Sequence, residues 1–293
     1  MLTNVLVGVD GRSGGHDAVA LALRLVDSPS QLTLVHVHEE TAGIVVHDFD
    51  AAARDEAQRL LEDEREAAGP QAGSLSIVAA AVGAGLHRAA EQNAADLLVV
   101  GTCRHGFVGR VLLGDDTRAS LAGAPCPVAI APLGYAQTSA PIELIGVGYD
   151  ASPESDAALA MARTLVADRD AKIRALTVVS ALPFAYASLA AADLGTEIDR
   201  LMDEARTRQS ELDGVEGRVA YGLPVEELAA FGEDVDLLLV GSRHYGPARR
   251  LMLGSTAKHL TRSARCPLVV LPRGAAEPAT GRASAAERAK AAS

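Results

Sequence analysis

The 293-residue sequence lacks several features that would identify whole classes of protein. It has no tryptophan and only 3% aromatic residues, which argues against an aromatic stacking surface for single-stranded nucleic acid. Its three cysteines form a sparse, odd set without metal-ligand spacing, so neither a disulfide framework nor a metal site is predicted. No apolar run reaches the roughly 18–20 residues that cross a bilayer, and the N-terminus has no signal-like region. We therefore predict a cytoplasmic protein with no membrane partner.

The charge balance is acidic. Lys and Arg number 27 against 38 Asp and Glu, which gives a formal net charge of −11. Such a charge disfavours non-specific binding to nucleic acid, so no nucleic-acid partner is predicted. Hydrophobic residues make up 48% of the chain and charged residues 22%, which is typical of a folded globular protein. The length is sufficient for two domains of ordinary size.

The same glycine pattern occurs twice in the chain, 140 positions apart. Gly101 and Gly241 each end an apolar run, Gly114 and Gly254 follow thirteen residues later, and a Cys-Pro pair comes twelve residues after those. A repeat of this length indicates a duplicated domain rather than a solenoid period. Each copy places its glycines in a strand-to-helix loop, which is where folds of this kind hold phosphate.

Each half alternates short apolar runs with amphipathic segments. In the first half we predict five strands, over 4–9, 32–37, 75–81, 97–100 and 128–130. The second half repeats this order. Near-continuous apolar strands are typical of a parallel sheet with both faces covered, so the predicted fold class is α/β, with two tandem doubly wound domains. We place these domains at 1–134 and 142–273, and we predict that the Ala-rich segment 274–293 is a disordered tail.

Other candidate ligand residues follow the first two strands of each half. Asp10 and Asp150 come at the end of the first strand, and Val37 and Val178 at the end of the second. In an open parallel sheet the ligand crevice lies at the carboxyl ends of the strands. The glycine loop after the fourth strand would converge on the same edge and expose backbone N–H groups to an anion.

Together these motifs resemble the universal stress protein family in its tandem two-domain form. Nucleotide-binding members of that family carry Gly-x2-Gly-x9-Gly-(Ser/Thr) after strand 4. The second copy matches this motif at Gly241, Gly254 and Ser255, and it has His244 at the position of the middle glycine.

The first copy departs further from the family motif. It keeps the outer glycines as Gly101 and Gly114, but it has Arg104 at the middle position and Asp115 where the motif has Ser or Thr. A carboxylate at a helix N-terminus is favourable as a cap but would repel a triphosphate. We therefore expect the C-terminal domain to be the main ligand site.

The resemblance implies a fold and a ligand. The family has a five-stranded parallel sheet of order 3-2-1-4-5, and many members bind ATP, so we expect ATP with Mg²⁺ in this chain. Asp150 would lie near the adenine, the Val178 backbone would contact it, and the glycine loop, with His244 at its middle position, would contact the phosphates and ribose. Asp10 and Val37 are the counterparts in the first half, together with its own glycine loop.

The resemblance also implies a role and a mode of association. The family is associated with survival of stress and has no general catalytic reaction, so we expect a regulatory module and not an enzyme; slow ATP hydrolysis is compatible with that role. Members generally dimerise. We expect the two halves to pack as an intrachain pseudo-dimer through the edges of their fifth strands, with a homodimer and a protein partner as further options.

Each feature also has a plainer interpretation. The two aspartates could cap the first helix of each half, the strand-end glycines could be turn residues, the later glycines could permit close helix packing, and the two valines could belong to the core. A nucleotide-free interaction protein is then the alternative function, favoured by the substituted glycine motif. A third alternative is an ATP hydrolase or nucleotidyl transferase, which needs a general base that the sequence does not identify.

Two further residue pairs are predicted to carry no chemistry. Cys126 and Cys266, each before a proline, are expected to be small buried hydrophobes. His36 and His38 in the second strand are expected to have opposite side-chain directions, so no metal pair is predicted.

Overall fold

The computed structural model describes residues 2–39, 47–102, 115–138, 140–167, 169–180, 191–242 and 254–272. Strands and helices alternate through the N-terminal half: β1 Val5–Gly8, α1 Ser13–Leu25, β2 Leu32–Glu39, α2 His47–Ala68, β3 Gly73–Ala79, α3 Val82–Gln92, β4 Leu97–Gly101, α4 Asp115–Leu121 and β5 Val128–Ala131. The C-terminal half repeats this order: β6 Leu144–Gly148, α5 Pro153–Val166, β7 Lys172–Val179, α6 Ala191–Ser210, β8 Val215–Tyr221, α7 Pro224–Phe231, β9 Leu237–Gly241, α8 Ser255–Ser263 and β10 Leu268–Leu271.

All ten strands form one sheet in the order β3-β2-β1-β4-β5-β10-β9-β6-β7-β8. Within each half the strands are parallel and follow the order 3-2-1-4-5, as the family resemblance implies. The halves meet where β5 and β10 pair antiparallel, with Ala129 opposite Val269. This pairing is the intrachain contact between fifth strands that we expected.

The sheet is buried on both faces by two apolar clusters, and each cluster extends across both halves. One cluster holds the apolar stripes of α1 and α5, and the other holds those of α3, α7 and α8. Side chains on successive strand residues point to opposite faces, so Val99 belongs to the first cluster and Leu98 to the second. Fully burying such a side chain contributes about 1.5–3 kcal/mol. The joined sheet therefore gives the two halves a common core.

The linker is held against α1 by buried and semi-buried polar groups. Asp17, only 1% exposed, accepts hydrogen bonds from the backbone N–H groups of Gly134 and Ala136 at 2.8 and 2.7 Å. The guanidinium of Arg24 lies 4.6 Å from the centre of the Tyr135 ring. These contacts fix the chain as it passes from one half to the other.

Candidate functional site

The first strand of each half ends in the same backbone turn. Asp10 and Asp150 leave the sheet after β1 and β6, and the next residue is left-handed in both, with φ +67° at Gly11 and φ +59° at Ala151. An alanine rarely adopts this conformation, whereas a glycine does so freely. The turn carries the chain directly into the first helix of each half. The geometry of this corner is therefore common to both copies.

In the C-terminal half, Asp150 closes this turn with its own side chain. Its Oδ1 accepts hydrogen bonds from the Ser152 hydroxyl and from the Ser152 backbone N–H, the latter at 3.1 Å. Ser152 in turn caps α5, since its hydroxyl accepts from the Ser155 N–H at 3.3 Å. Asp150 thus has the plainer structural role at the start of the helix, and it lies just beyond the carboxyl end of β6.

In the N-terminal half the same corner contains no serine pair. Asp10 accepts from the Arg12 N–H at 3.1 Å, and its side chain is 51% exposed. Gly14 and Gly15 take the positions that Glu154 and Ser155 have in the other half. The corner is therefore more open, and its carboxylate faces an arginine whose Nη1 lies 3.9 Å away.

Gly101 and Gly241 permit close contact between the end of a strand and the start of a helix. A Cβ on Gly101 would lie 1.9 Å from the Gly14 carbonyl oxygen, and one on Gly241 would lie 2.5 Å from the Glu154 Cβ. Neither glycine has a positive φ. Both glycines are the last residues of their strands, and the approach of α1 and α5 leaves no room there for a larger residue.

Val37 and Val178 contribute their side chains to the core. Val37 is 9% exposed and packs under Gly85 of α3, whose added Cβ would lie 2.6 Å from a Val37 methyl group. Val178 packs against the same apolar cluster. Their backbone atoms pair with Ile77 and Ala220 in the neighbouring strands. A ligand at this edge would therefore meet main-chain atoms and not valine side chains.

The prediction that the side chains of His36 and His38 point in opposite directions is wrong. Their rings are 4.6 Å apart in an edge-to-face contact, because residues two apart in a strand point to the same face. The Nδ1 of His36 lies 2.9 Å from the Val9 carbonyl oxygen. In the other half Thr177 occupies the equivalent position and donates to the Tyr149 carbonyl at 2.8 Å. The side chain at this position therefore ties the second strand to the first in both halves.

The helix after the glycine loop begins differently in the two halves. In α8 the buried Gly254 is the N-cap, with an extended φ of −65° and ψ of 165°, and Ser255 is the first, exposed helical residue. The first turn of α8 contains no acidic residue, whereas α4 begins with the acidic pair Asp115 and Asp116. The first N–H groups of a helix lack partners within the helix and attract anions. Gly114, Arg104 and His244 lie outside the described residues.

Family comparison agrees with this geometry. The model of the universal stress protein family matches residues 1–132 and again residues 142–272. The chain belongs to the universal stress protein family.

Relatives of this universal stress protein have the same tandem size. A universal stress protein of Mycobacterium tuberculosis is 26% identical over 93% of this chain and 99% of its own length. A universal stress protein structure from Archaeoglobus fulgidus has 18% identity and a TM-score of 0.68, and covers 94% of this chain and 100% of that one. A putative universal stress protein from Pseudomonas aeruginosa has 15% identity and a TM-score of 0.60, with 92% and 93% covered. At these identities the solved structures show the fold alone.

Two buried hydroxyls in this universal stress protein were missed from the sequence. Thr102 and Ser242 directly follow the strand-end glycines, are 4% and 1% exposed, and have no hydrogen-bond partner among the described residues. They lie 140 positions apart, like the glycines themselves. The recurrence of a hydroxyl residue in the same register was the signal that could have identified them. Buried polar groups in proteins are normally paired, so both hydroxyls are candidates for a ligand or water contact.

Besides Asp17, the buried ionisable groups include a second carboxylate, Glu64, and two thiols. Glu64 on α2 is 2% exposed and lies 3.2 Å from the Nε2 of His16; burial raises its pKa, while His16 lowers it. Burial likewise raises the pKa of Cys126 and Cys266 to about 12, so both are inert buried side chains as predicted. In the part of the chain that the structure describes, three or more potential metal ligands nowhere cluster together, and no helix has the length and apolar character needed to cross a membrane.

Proposed function

We propose that this universal stress protein binds an adenine nucleotide, ATP, mainly in its C-terminal half, and acts as a stress-response regulatory module. The observation that carries the proposal is the start of α8. Its N-cap is Gly254, its first residue is an exposed serine, and its first turn has no carboxylate. An anionic phosphate is stabilised at such a helix terminus by the free N–H groups and the helix dipole.

The residues around this terminus fit the rest of the nucleotide. Ser255 would supply a hydroxyl to the phosphates, and the buried hydroxyl of Ser242, which has no hydrogen-bond partner among the described residues, lies in the same strand-to-helix connection. Asp150 and the Val178 backbone lie at the edge of the sheet where the adenine would bind. Gly241 ends β9, between this adenine position and the phosphate position at the start of α8. Mg²⁺ would be held chiefly by phosphate oxygens, as is usual for this ion. His244, at the middle position of the glycine motif, belongs to the loop that would contact the phosphates and ribose.

The N-terminal half is the weaker candidate site in this proposal. Asp10, Val37, Gly101 and Gly114 take the corresponding positions, but α4 begins with carboxylates where α8 begins with Ser255 and Thr256. Like charges at short range repel strongly when partly removed from water. We therefore expect nucleotide to bind this half weakly or not at all.

Equilibrium titration of the full chain with ATP tests the proposal. We expect saturable binding that Gly254→Asp abolishes and that Asp150→Ala weakens by about 10-fold, which corresponds to about one charge-assisted hydrogen bond. Asp10→Ala is the matched control in the other half and should leave the affinity within about 2-fold. Folding of each variant is checked by thermal unfolding. Folded wild-type protein that binds no ATP at millimolar ligand would overturn the proposal.

A nucleotide-free interaction protein is the second candidate function. It is favoured by the engagement of the Asp150 carboxylate with Ser152 and by the packing of Gly241 against Glu154, since both residues already have structural roles. Mass spectrometry of small molecules released from denatured, freshly purified protein distinguishes the two candidates. This alternative expects no nucleotide, and it expects Gly254→Asp to leave binding of a protein partner unchanged.

The proposed module is a cytoplasmic protein without a defined catalytic reaction, with domains at 1–134 and 142–273. If it hydrolyses ATP slowly, phosphate release should be lost in both Ser255→Ala and Asp150→Ala. Nucleotide bound without turnover would support the regulatory role. The predicted tail, 274–293, lies outside the described residues.

A further inference from the structure

The two outer edges of the ten-stranded sheet differ in charge. On one side β3 has the sequence Gly-Ser-Leu-Ser-Ile-Val-Ala, which contains no ionisable side chain. On the other side β8 has Glu216 and Arg218 on either side of Gly217. Edge strands offer unpaired backbone groups to other chains, and their side chains decide which chains can pair there. The charged side chains of β8 therefore restrict which chains can pair with this edge.

The outward backbone groups of β8 can be assigned from its pairing with β7. The Gly222 N–H donates to the Val179 carbonyl, so the even-numbered residues of β8 direct their N–H and C=O groups toward β7. Successive residues of a strand alternate in direction. The N–H and C=O groups of Gly217 and Val219 therefore point outward, as does the Val215 carbonyl, whereas the Val215 N–H donates to the Leu212 carbonyl at 3.4 Å. Among the described strands β8 pairs only with β7.

We propose that β8 is a self-association edge that pairs antiparallel with β8 of a second copy of this chain, centred on Gly217. In this register Gly217 of each copy exchanges two backbone hydrogen bonds with Gly217 of the other. Glu216 then lies opposite Arg218 of the second copy, and Arg218 opposite its Glu216. Both pairs are non-hydrogen-bonded pairs, in which the side chains are closest. The two-fold symmetry makes the charge pattern complementary to itself.

The charged side chains of β8 are already oriented on one face. An Nη2 atom of Arg174 lies 2.7 Å from a Glu216 oxygen, and the Nη1 of Arg218 lies 3.5 Å from an Asp234 oxygen. Arg218 Nε is also 3.5 Å from a Glu216 oxygen. These contacts hold the Glu216 and Arg218 side chains on the same face of the sheet. The two ion pairs with the second copy would therefore extend an existing network of charged side chains. Charge networks contribute more than isolated surface pairs.

The opposite face of β8 presents apolar surface to the second copy. A groove of about 350 Å³ runs between the strand and α6; Leu212, Val215 and Val219 are its apolar side chains, and Arg206, Gln209 and Ser210 line it as well. Beyond it, Tyr221 and Leu223 are 49% and 41% exposed. The same register places Val215 opposite Val219 of the second copy, which is a favourable β-branched pair and covers the groove. Exposed apolar surface of this kind commonly marks an interaction site.

Charge exchange on the full-length protein tests this inference. Sedimentation velocity should show a dimer for the wild type. Glu216→Arg and Arg218→Glu should each raise the dimer Kd by about 10-fold or more, since each creates two like-charge pairs by symmetry. An equimolar mixture of the two variants should restore association as a heterodimer, and so should the double exchange in a single chain.

A control and three outcomes make the test decisive. Ser76→Arg on the other edge strand is the matched control and should leave the dimer unchanged. The heterodimer shows in the same experiment that both single variants are folded. A monomeric wild type at every concentration, a dimer that survives both charge reversals, or a mixture that stays monomeric would each overturn the proposed pairing.

Discussion

The two halves of this protein share one backbone and differ in the chemistry that holds it. At the corner after the first strand, both halves place a left-handed residue after an aspartate. In the C-terminal half the Ser152 N–H donates to Asp150 Oδ1 and to the Ser155 hydroxyl, and these bonds hold the corner. The N-terminal half has Arg12 and two glycines at this corner. The two copies therefore share the backbone geometry of this corner, while the side chains that surround it differ.

The helix that covers the second strand shows the same contrast. In the C-terminal half Gln209 of α6 donates to the Thr177 hydroxyl at 2.6 Å, and Thr177 donates to the Tyr149 carbonyl, so the contact is neutral. In the N-terminal half α2 brings the buried carboxylate of Glu64 against His16. A neutral hydrogen-bonded contact is insensitive to pH, but a buried ionisable pair is not. The Glu64 contact should therefore make stability depend on pH, whereas the Gln209 contact should not.

The largest effect should come from the strand-end glycines. We expect Gly101→Ala to lower the free energy of unfolding by about 3 kcal/mol or more, because the new methyl group meets a backbone carbonyl that cannot move without α1. Gly241→Ala should lower it by about 1–3 kcal/mol, since its contact is less severe. Urea denaturation measures both.

Gly195→Ala in α6 is the control for these glycines. A Cβ at Gly195 has no neighbouring atom within 4 Å, so alanine there should be neutral or stabilising by up to about 1 kcal/mol through its helix propensity. Equal, small losses at the two strand ends would contradict the idea that each half depends on this close approach.

A loss smaller than that at Gly101 is expected at the linker, which the carboxylate of Asp17 in the N-terminal half holds. Asp17→Ala removes the acceptor of two backbone N–H groups and should lower the free energy of unfolding by about 2–3 kcal/mol. The matched control is Asp27→Ala, whose exposed pair with Arg169 should be worth less than about 1 kcal/mol. Chemical denaturation gives the stability, and limited proteolysis reports opening of the linker. Similar losses in the two variants would remove the special role of Asp17.

Much of the fold was predictable because its signals are local and repeated. Apolar runs of strand length, amphipathic helical segments and the fixed 140-residue register predict two parallel-sheet domains, and the described strands and helices confirm them. The contact between fifth strands was also expected from the family resemblance. These features depend on periodicity and order along the chain, which the sequence states directly.

The roles of individual site residues were harder to predict because they depend on contacts across the fold. Nothing near Gly241 in sequence indicates that Glu154 packs against it, and nothing near Asp17 indicates the linker more than a hundred residues away. The hydroxyl of Ser152, two residues after Asp150, was a local signal for the closed turn. The error at His36 and His38 was one of strand period and needed no structure to correct.

The smallest expected effect sharpens the contrast in ionisation between the halves. Burial raises the pKa of Glu64 above its ordinary value of 4.5, so the folded chain holds this proton more tightly than the unfolded chain. The resulting stability is fully present below pH 4.5 and is lost as pH rises through the raised pKa. Glu64→Gln has no such loss, so the stability of the wild type should fall relative to that of the variant as pH rises.

The neighbours of Glu64 determine how this pH profile should respond to substitution. His16 lowers the pKa of Glu64, whereas Asp10 and Asp63 raise it. His16→Gln removes the neighbour that lowers the pKa of Glu64, so Glu64 should ionise at a higher pH in this variant than in the wild type. Urea denaturation across the pH range measures the difference, with the exposed Glu66→Gln as the control that should show none. The idea would be contradicted if the difference in stability between the wild type and Glu64→Gln did not depend on pH. The Glu64–His16 contact would then stabilise the N-terminal half in the same way as the neutral Gln209–Thr177 contact stabilises the C-terminal half.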